Sequence, residues 1–203
     1  MNIVIAGGGR VGLHLARLLC DQNHNLTVLE ADPQRREEID SILDARTVVG
    51  DAAAALLMQS LDVGSADLFV ACTGDERTNL IAASMAKALG AARCVARVNS
   101  ALFLEGSMLY EGTLNIDFLL NPDALAAHDI ILYIENPGVV SLEDFSRGQL
   151  QVRGLELPLD TPVHGKTVSE ILPPGSGVLV GAIFNKGRAS VARGKPRLKA
   201  EAG

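Results

Sequence analysis

The chain has 203 residues, 48% of them hydrophobic but only 3% aromatic, and a formal charge of −6 from 18 basic and 24 acidic side chains. That length suits one large domain or an ordinary domain with a small companion, and the acidic balance argues against general nucleic-acid binding. With so few rings, the core has to be built from Ala, Val, Leu and Ile, as buried parallel sheets are.

Strand and helix signals alternate through residue 121. Asn2-Ile3-Val4-Ile5-Ala6 reads as an apolar strand, followed by a helix over 10–21 with Val11, Leu15, Leu18 and Leu19 on one face. A second strand over 26–30 ends in Glu30, and Asp32-Pro33 supplies an N-cap and first-turn proline for a helix to about Leu43. Thr47-Val48-Val49 is a short strand, and Gly50-Asp51 introduces an alanine-rich helix over 52–60 that Asp51 is placed to cap. Leu68–Cys72 is a fourth strand, Thr73-Gly74-Asp75 leads into a helix over 76–89, and Cys94–Val98 is a fifth strand. A helix over 100–110 and a sixth strand over 117–120 complete the series. Six strands joined by helices define an α/β, doubly wound parallel sheet.

The pattern changes at Asn121-Pro122. A helix over 122–134 carries Leu125, Ile130, Ile131 and Leu132, more apolar surface than a closed domain leaves on a terminal helix. Beyond Asn136-Pro137-Gly138 the chain becomes β-rich, with strands expected at 139–145, 150–157 and 177–184 and a short helix at 166–172. Six basic and no acidic residues occupy 185–199, a solvated tail by composition. Two or three strands rarely make a stable sheet alone, so this small α+β module reads as incomplete. The expected division is 1–121, the doubly wound domain; 122–137, a helix and linker; and 138–203, an incomplete C-terminal module.

The turn after the first strand, Gly7-Gly8-Gly9-Arg10-Val11-Gly12, carries the chemistry. Gly7 lets the chain leave the strand, Gly9 removes a Cβ that would block a phosphate, and Gly12 lets the helix lie close to the strand. The helix N-terminus then aims unpaired N–H groups and its dipole at phosphate oxygens. Glu30 can accept hydrogen bonds from both ribose hydroxyls and would repel a 2′-phosphate, which favours NAD(H) over NADP(H). The same turn accepts ATP or ADP. Cys20, Cys72 and Cys94 lie apart in apolar segments without metal-ligand spacing and read as buried thiols of a reducing compartment. No basic leader and no apolar run of ~18 residues is present, so the expectation is a cytoplasmic protein.

The order of motifs resembles the RCK/KTN domain, the regulatory nucleotide-binding domain of prokaryotic potassium channels and transporters. The residues that carry the likeness are Gly7–Gly12, Glu30-Ala31-Asp32, Gly50-Asp51-Ala52, Thr73-Gly74-Asp75-Glu76 with Asn79, and Ala96-Arg97-Val98. Thr161–Thr167 looks like the start of the family's C-terminal domain. The likeness is greatest to the regulatory subunits of Trk potassium uptake systems, which carry two such pairs of domains; this chain corresponds to the first pair, cut within its C-terminal half. The resemblance implies a Rossmann-like fold and a gating subunit rather than an enzyme. It implies a homo-oligomer, with a dimer as the unit of a tetrameric or larger ring, and exchange of helix 122–134 between subunits. It also implies a Trk-type integral-membrane potassium-translocating partner, with this chain peripheral on the cytoplasmic face of the inner membrane. Carried over by position, Gly7, Gly8, Gly9, Val11 and Gly12 form the phosphate turn, with Arg10 a phosphate contact. Glu30 is the ribose acid, Asp51 and Ala52 lie beside adenine, Thr73 faces ribose and phosphates, and Arg97 lies on the same rim. The rival is an NAD-dependent oxidoreductase, but Tyr110 and Tyr133 lack a lysine four residues later, where Leu114 and Pro137 stand.

Overall fold

In a computed structural model, the structure describes residues 1–22, 24–135, 138–145, 150–158, 161–173, 175–185 and 188–191. Six strands, β1 (Asn2–Ala6), β2 (Asn25–Glu30), β3 (Arg46–Val49), β4 (Leu68–Ala71), β5 (Cys94–Arg97) and β6 (Phe118–Leu120), form one parallel sheet in the order β3-β2-β1-β4-β5-β6. The helices between them are α1 (Arg10–Cys20), α2 (Pro33–Ile42), α3 (Ala55–Ser60), α4 (Glu76–Leu89), α5 (Ala101–Glu105) and α6 (Ser107–Leu114). This is the doubly wound, Rossmann-like sheet expected from the alternation.

Strand order decides where the helices go. From β1 the chain steps outward to β2 and β3, then returns to the other side of β1 for β4, β5 and β6. Right-handed crossovers therefore put α1 and α2 on one face and the later helices on the other. Two cores result. Ile3, Ile5, Val28, Val70 and Cys72 pack on the α1–α2 side with Ala16 and Ile39. Val4, Ala6, Leu29, Phe69, Ala71, Cys94 and Ala96 pack on the other with Met58, Leu80, Ala83 and Phe103. Because side chains alternate along a strand, Val95 and Arg97 of β5 and Phe118 and Leu120 of β6 point toward the α1–α2 face. They belong to neither core cluster, and Phe118 is 51% exposed.

Several expectations are corrected. Helix α1 does not bury the Val11, Leu15, Leu18, Leu19 face as a unit: Gly12 and Ala16 are its buried residues, Leu15 and Leu19 pack partly buried against the core, and Val11 and Leu18 are exposed. Small residues let the helix axis approach the sheet more closely than a leucine face would, and that contact wins. The helix expected over 52–60 starts only at Ala55, so Asp51 does not cap it; Asp51 Oδ1 accepts from Ala53 N–H in the preceding turn at 2.8 Å. The helix expected over 100–110 is two, parted at Gly106, with α6 running on to Asn115 in the left-handed conformation. Cys72 and Cys94 are buried, with burial pushing each thiol up to about 11, but Cys20 is only partly covered.

Other boundaries follow the anticipated chemistry. Asp32 accepts from Gln34 N–H at 2.9 Å ahead of Pro33. Asp75 caps α4 through Thr78 N–H and hydroxyl at 2.8 and 2.6 Å, bonds that hold its carboxyl below the usual value.

The chain divides into two units, Met1–Asp129 and Ile130–Gly203. Helix α7 (Pro122–Glu135) runs across that division with no buried residue; Leu125, Ile130, Ile131, Tyr133 and Ile134 are all exposed. The second unit holds β7 (Val139–Phe145) paired antiparallel with β8 (Leu150–Leu155), helix α8 (Val168–Ile171), and β9 (Ala182–Asn185) paired with β10 (Arg188–Val191). Strand 150–157 thus ends early, 177–184 becomes a strand only from Ala182, and β10 arises within the basic run. The rest of that run lies outside the described residues. Among the residues of this unit whose side chains are described, none is buried.

Candidate functional site

The glycine turn sits where β1 stops and α1 begins, at the carboxyl edge of the sheet. Gly7 has φ +102°, a conformation L side chains rarely adopt, and a Cβ there would lie 2.7 Å from the Thr73 backbone. A Cβ on Gly12 would overlap the Gly7 carbonyl oxygen, and would also stand 3.1 Å from Cys72 Sγ. Gly9 differs from both. Its φ is −65°, it is exposed, and a Cβ would meet nothing within 4 Å. Gly9 is the N-cap of α1 and gives no side-chain cap, so the first N–H groups of the helix have no side-chain acceptor from it, and the space beside Gly9 is open.

Glu30, the last residue of β2, is drawn onto this turn. Its Oε2 accepts from Gly8 N–H at 2.6 Å and its Oε1 from Asp32 N–H at 3.0 Å. Each carboxylate oxygen keeps a lone-pair site for a further donor. Gly8 is boxed in from the other side, since a Cβ on it would strike Ile39 Cδ1 and stand 2.9 Å from Glu30 Oε2.

Across the edge, the β4 exit is braced by a residue whose role no spacing rule reveals. Asn79, 1% exposed on α4, accepts from Thr73 N–H at 2.8 Å and lies 2.7 Å from the Thr73 hydroxyl. Its Nδ2 donates to the carbonyl oxygens of Arg97 at 2.9 Å and Thr73 at 3.3 Å. One side chain thus ties the ends of β4 and β5 together and occupies the Thr73 hydroxyl within the turn. Asn79→Leu leaves these backbone groups without their partner, and we expect a loss of roughly 3 kcal/mol, read as a lower urea midpoint at unchanged slope.

The other expected residues fall out as follows. Arg10 and Val11 are exposed on the first turn of α1, and Arg10 makes no side-chain hydrogen bond or ion pair among the described residues. Asp51 is exposed at the end of β3, while the Ala52 methyl is buried in the core, leaving only its backbone to face a ligand. Arg97 is partly buried on β5, and its Nε is a buried donor without a partner. It lies close enough to Cys72 to favour the thiolate, although burial dominates that thiol. The glycine turn, Glu30 and the Thr73 turn share one rim with Arg97. Arg35, which the sequence reading passed over, also reaches this rim. The described residues contain no cluster of metal-ligating side chains.

A parallel doubly wound sheet with a glycine turn under an uncapped helix, and an acid from the second strand on that turn, defines a Rossmann-type α/β domain. The TrkA-N domain model matches residues 3–122, and the chain belongs to that family. It is 32% identical over 200 residues to a Trk system potassium uptake protein TrkA homolog of Archaeoglobus fulgidus, covering 98% of this chain and 45% of the relative. It is 28% identical over 205 residues to the Trk system potassium uptake protein TrkA of Halomonas elongata, covering 99% and 45% respectively. The chain therefore spans about half the length of these two relatives. Its fold is similar to that of a structure described as the GsuK channel bound to NAD, with a TM-score of 0.67 at 19% identity, over 98% of this chain and 35% of the other.

Proposed function

We propose that the chain is the nucleotide-sensing part of a regulatory subunit of a potassium uptake transporter, binding NAD(H), with ATP or ADP as the alternative ligand. The observation that carries this reading is the Glu30 carboxylate held against Gly8 N–H, beside the open, uncapped start of α1. The residues fit an adenine nucleotide. Ribose hydroxyls would take the remaining lone pairs of Glu30, and the diphosphate would lie over Gly9 at the α1 N-terminus. Arg10 is free to reach the phosphates, and the orphaned Nε of Arg97 suits an acceptor on the same rim. The nucleotide, when bound, supplies charge and bridging contacts; no step of chemistry is asked of it.

The regulatory part of the reading rests on family membership and on surfaces that want covering. Helix α7 exposes Leu125, Ile130, Ile131, Tyr133 and Ile134, and Phe118 is half exposed on the α1–α2 face of the sheet, outside its core cluster. A homo-oligomer, with a dimer as its unit and nucleotide setting its geometry, would bury both. We divide the chain into a nucleotide-binding domain at 1–121, a crossover helix and linker at 122–137 and a C-terminal module at 138–203. The partner is an integral-membrane potassium-translocating subunit on whose cytoplasmic side this chain docks; among the described residues no helix is long and apolar enough to cross a membrane itself. Catalysis has little support. Tyr110 stacks edge-on with Phe103, ring centres 5.2 Å apart, so its ring packs with the core rather than standing as a proton donor at the rim.

Calorimetric titration with NADH, NAD, ATP and ADP, with oligomer mass measured at each end point, tests the reading. Glu30→Ala should weaken NADH at least tenfold, because two charge-assisted hydrogen bonds to the ribose are lost. Unchanged affinity would remove Glu30 from the ribose site, and sustained hydride transfer to a carbonyl substrate would replace regulation with catalysis.

A further inference from the structure

Arg35 is placed at the site by a contact that its position in the chain does not suggest. It lies in the first turn of α2, yet its Nε donates to the Gly8 carbonyl oxygen at 3.2 Å, 27 residues back. The N–H of the same glycine donates to Glu30 at 2.6 Å. A base and an acid therefore end on the two backbone groups of one residue without forming an ion pair with each other. The nearest acid recorded for Arg35 is Glu38, 3.7 Å from Nη1, too long for a hydrogen bond. Anchoring through Nε fixes the guanidinium while its terminal N–H groups make no hydrogen bond among the described residues, Nη1 keeping only the 3.7 Å ion pair with Glu38, and the side chain is 39% exposed.

We propose that Arg35 forms one wall of the adenine subsite, its guanidinium plane stacking on the base of the nucleotide whose ribose Glu30 holds. This rests on the reading that an adenine nucleotide lies over the glycine turn. With the phosphates at the α1 N-terminus and the ribose diol on Glu30, the base extends away from α1 toward the start of α2. Arg35 reaches the turn from that side. A planar, weakly hydrated cation suits the flat face of a purine, where a lysine ammonium does not. The Glu30 carboxylate beside it disfavours the other use of such an arginine, capture of a 2′-phosphate.

The test is calorimetric binding of ADP, NADH and NADPH to the full chain and to R35A and R35K, with the melting temperature of each unliganded protein. Lysine keeps a charge and a donor for the Gly8 carbonyl but has no plane. Stacking predicts that both variants bind ADP and NADH about tenfold more weakly, with R35K melting like the wild type. Wild-type affinity in R35K would show that Arg35 only supports the loop, and would overturn the proposal. Loss confined to NADPH would overturn it in favour of 2′-phosphate capture, and undiminished binding in both variants would overturn it outright. Failure of the wild type to bind any of the three ligands would instead strike the nucleotide reading itself.

Discussion

Gly12→Ala should cost the nucleotide-binding domain about 3–5 kcal/mol of stability, enough to remove much of the folded population of a domain this size. The reason is where the new methyl would go. It would overlap the Gly7 carbonyl oxygen, a backbone atom, with Cys72 Sγ 3.1 Å away behind it. Neither can swing aside: Gly7 is fixed by its positive φ and by its N–H bond to the Leu29 carbonyl at 2.8 Å, and Cys72 is buried in the α1–α2 core. Helix α1 would have to lift from the sheet, carrying Ala16 out of contact. Urea denaturation checks this directly, and a midpoint within error of the wild type would mean that the helix is not seated by Gly12.

Gly9→Val should produce the opposite pairing of effects. A Cβ at Gly9 meets nothing within 4 Å, and φ of −65° is open to any residue. The folded state should therefore change by no more than about 1 kcal/mol, the scale of exchanging one N-cap residue for another. Nucleotide binding should fall by about 100-fold or more, because the valine side chain fills the space through which a diphosphate approaches the α1 N–H groups. The two substitutions separate a glycine required by the protein from one required by its ligand. Equal binding by Gly9→Val and wild type would place the phosphates elsewhere.

The parts of this architecture that could be read from the sequence are those set by local chemistry. Asn2–Ala6 and the later apolar strands alternate with capped helices, and Asp32-Pro33 and Asp75 announce their helices by side-chain bonds to nearby N–H groups. The parts that could not are decided by distant contacts. Periodicity assigned Val11 and Leu18 to the inner face of α1, but the close approach at Gly12 and Ala16 turned them outward. Asn79 stands out in the sequence only as a motif residue, and its bracing role emerges where the ends of β4 and β5 meet around it. Nothing in the sequence marks Arg35, and only the packing of α2 against the glycine turn reveals its bond to Gly8. The acid at Glu30 was legible because strand length and glycine spacing together place it at the carboxyl edge. In the C-terminal unit, β10 was hidden by its length: Arg188-Ala189-Ser190-Val191 alternates, but over only four residues within a basic run.

A sensor at the glycine turn should bind an adenine nucleotide without consuming it. Equilibrium titration of the purified chain with NADH, followed by the nucleotide's own absorbance over prolonged incubation with carbonyl compounds, tests this most directly. The expected result is saturable binding that Gly9→Val weakens by about 100-fold or more, a change in oligomer mass on saturation, and NADH recovered intact. Saturable binding that Gly9→Val leaves unweakened, or steady loss of NADH, would contradict it.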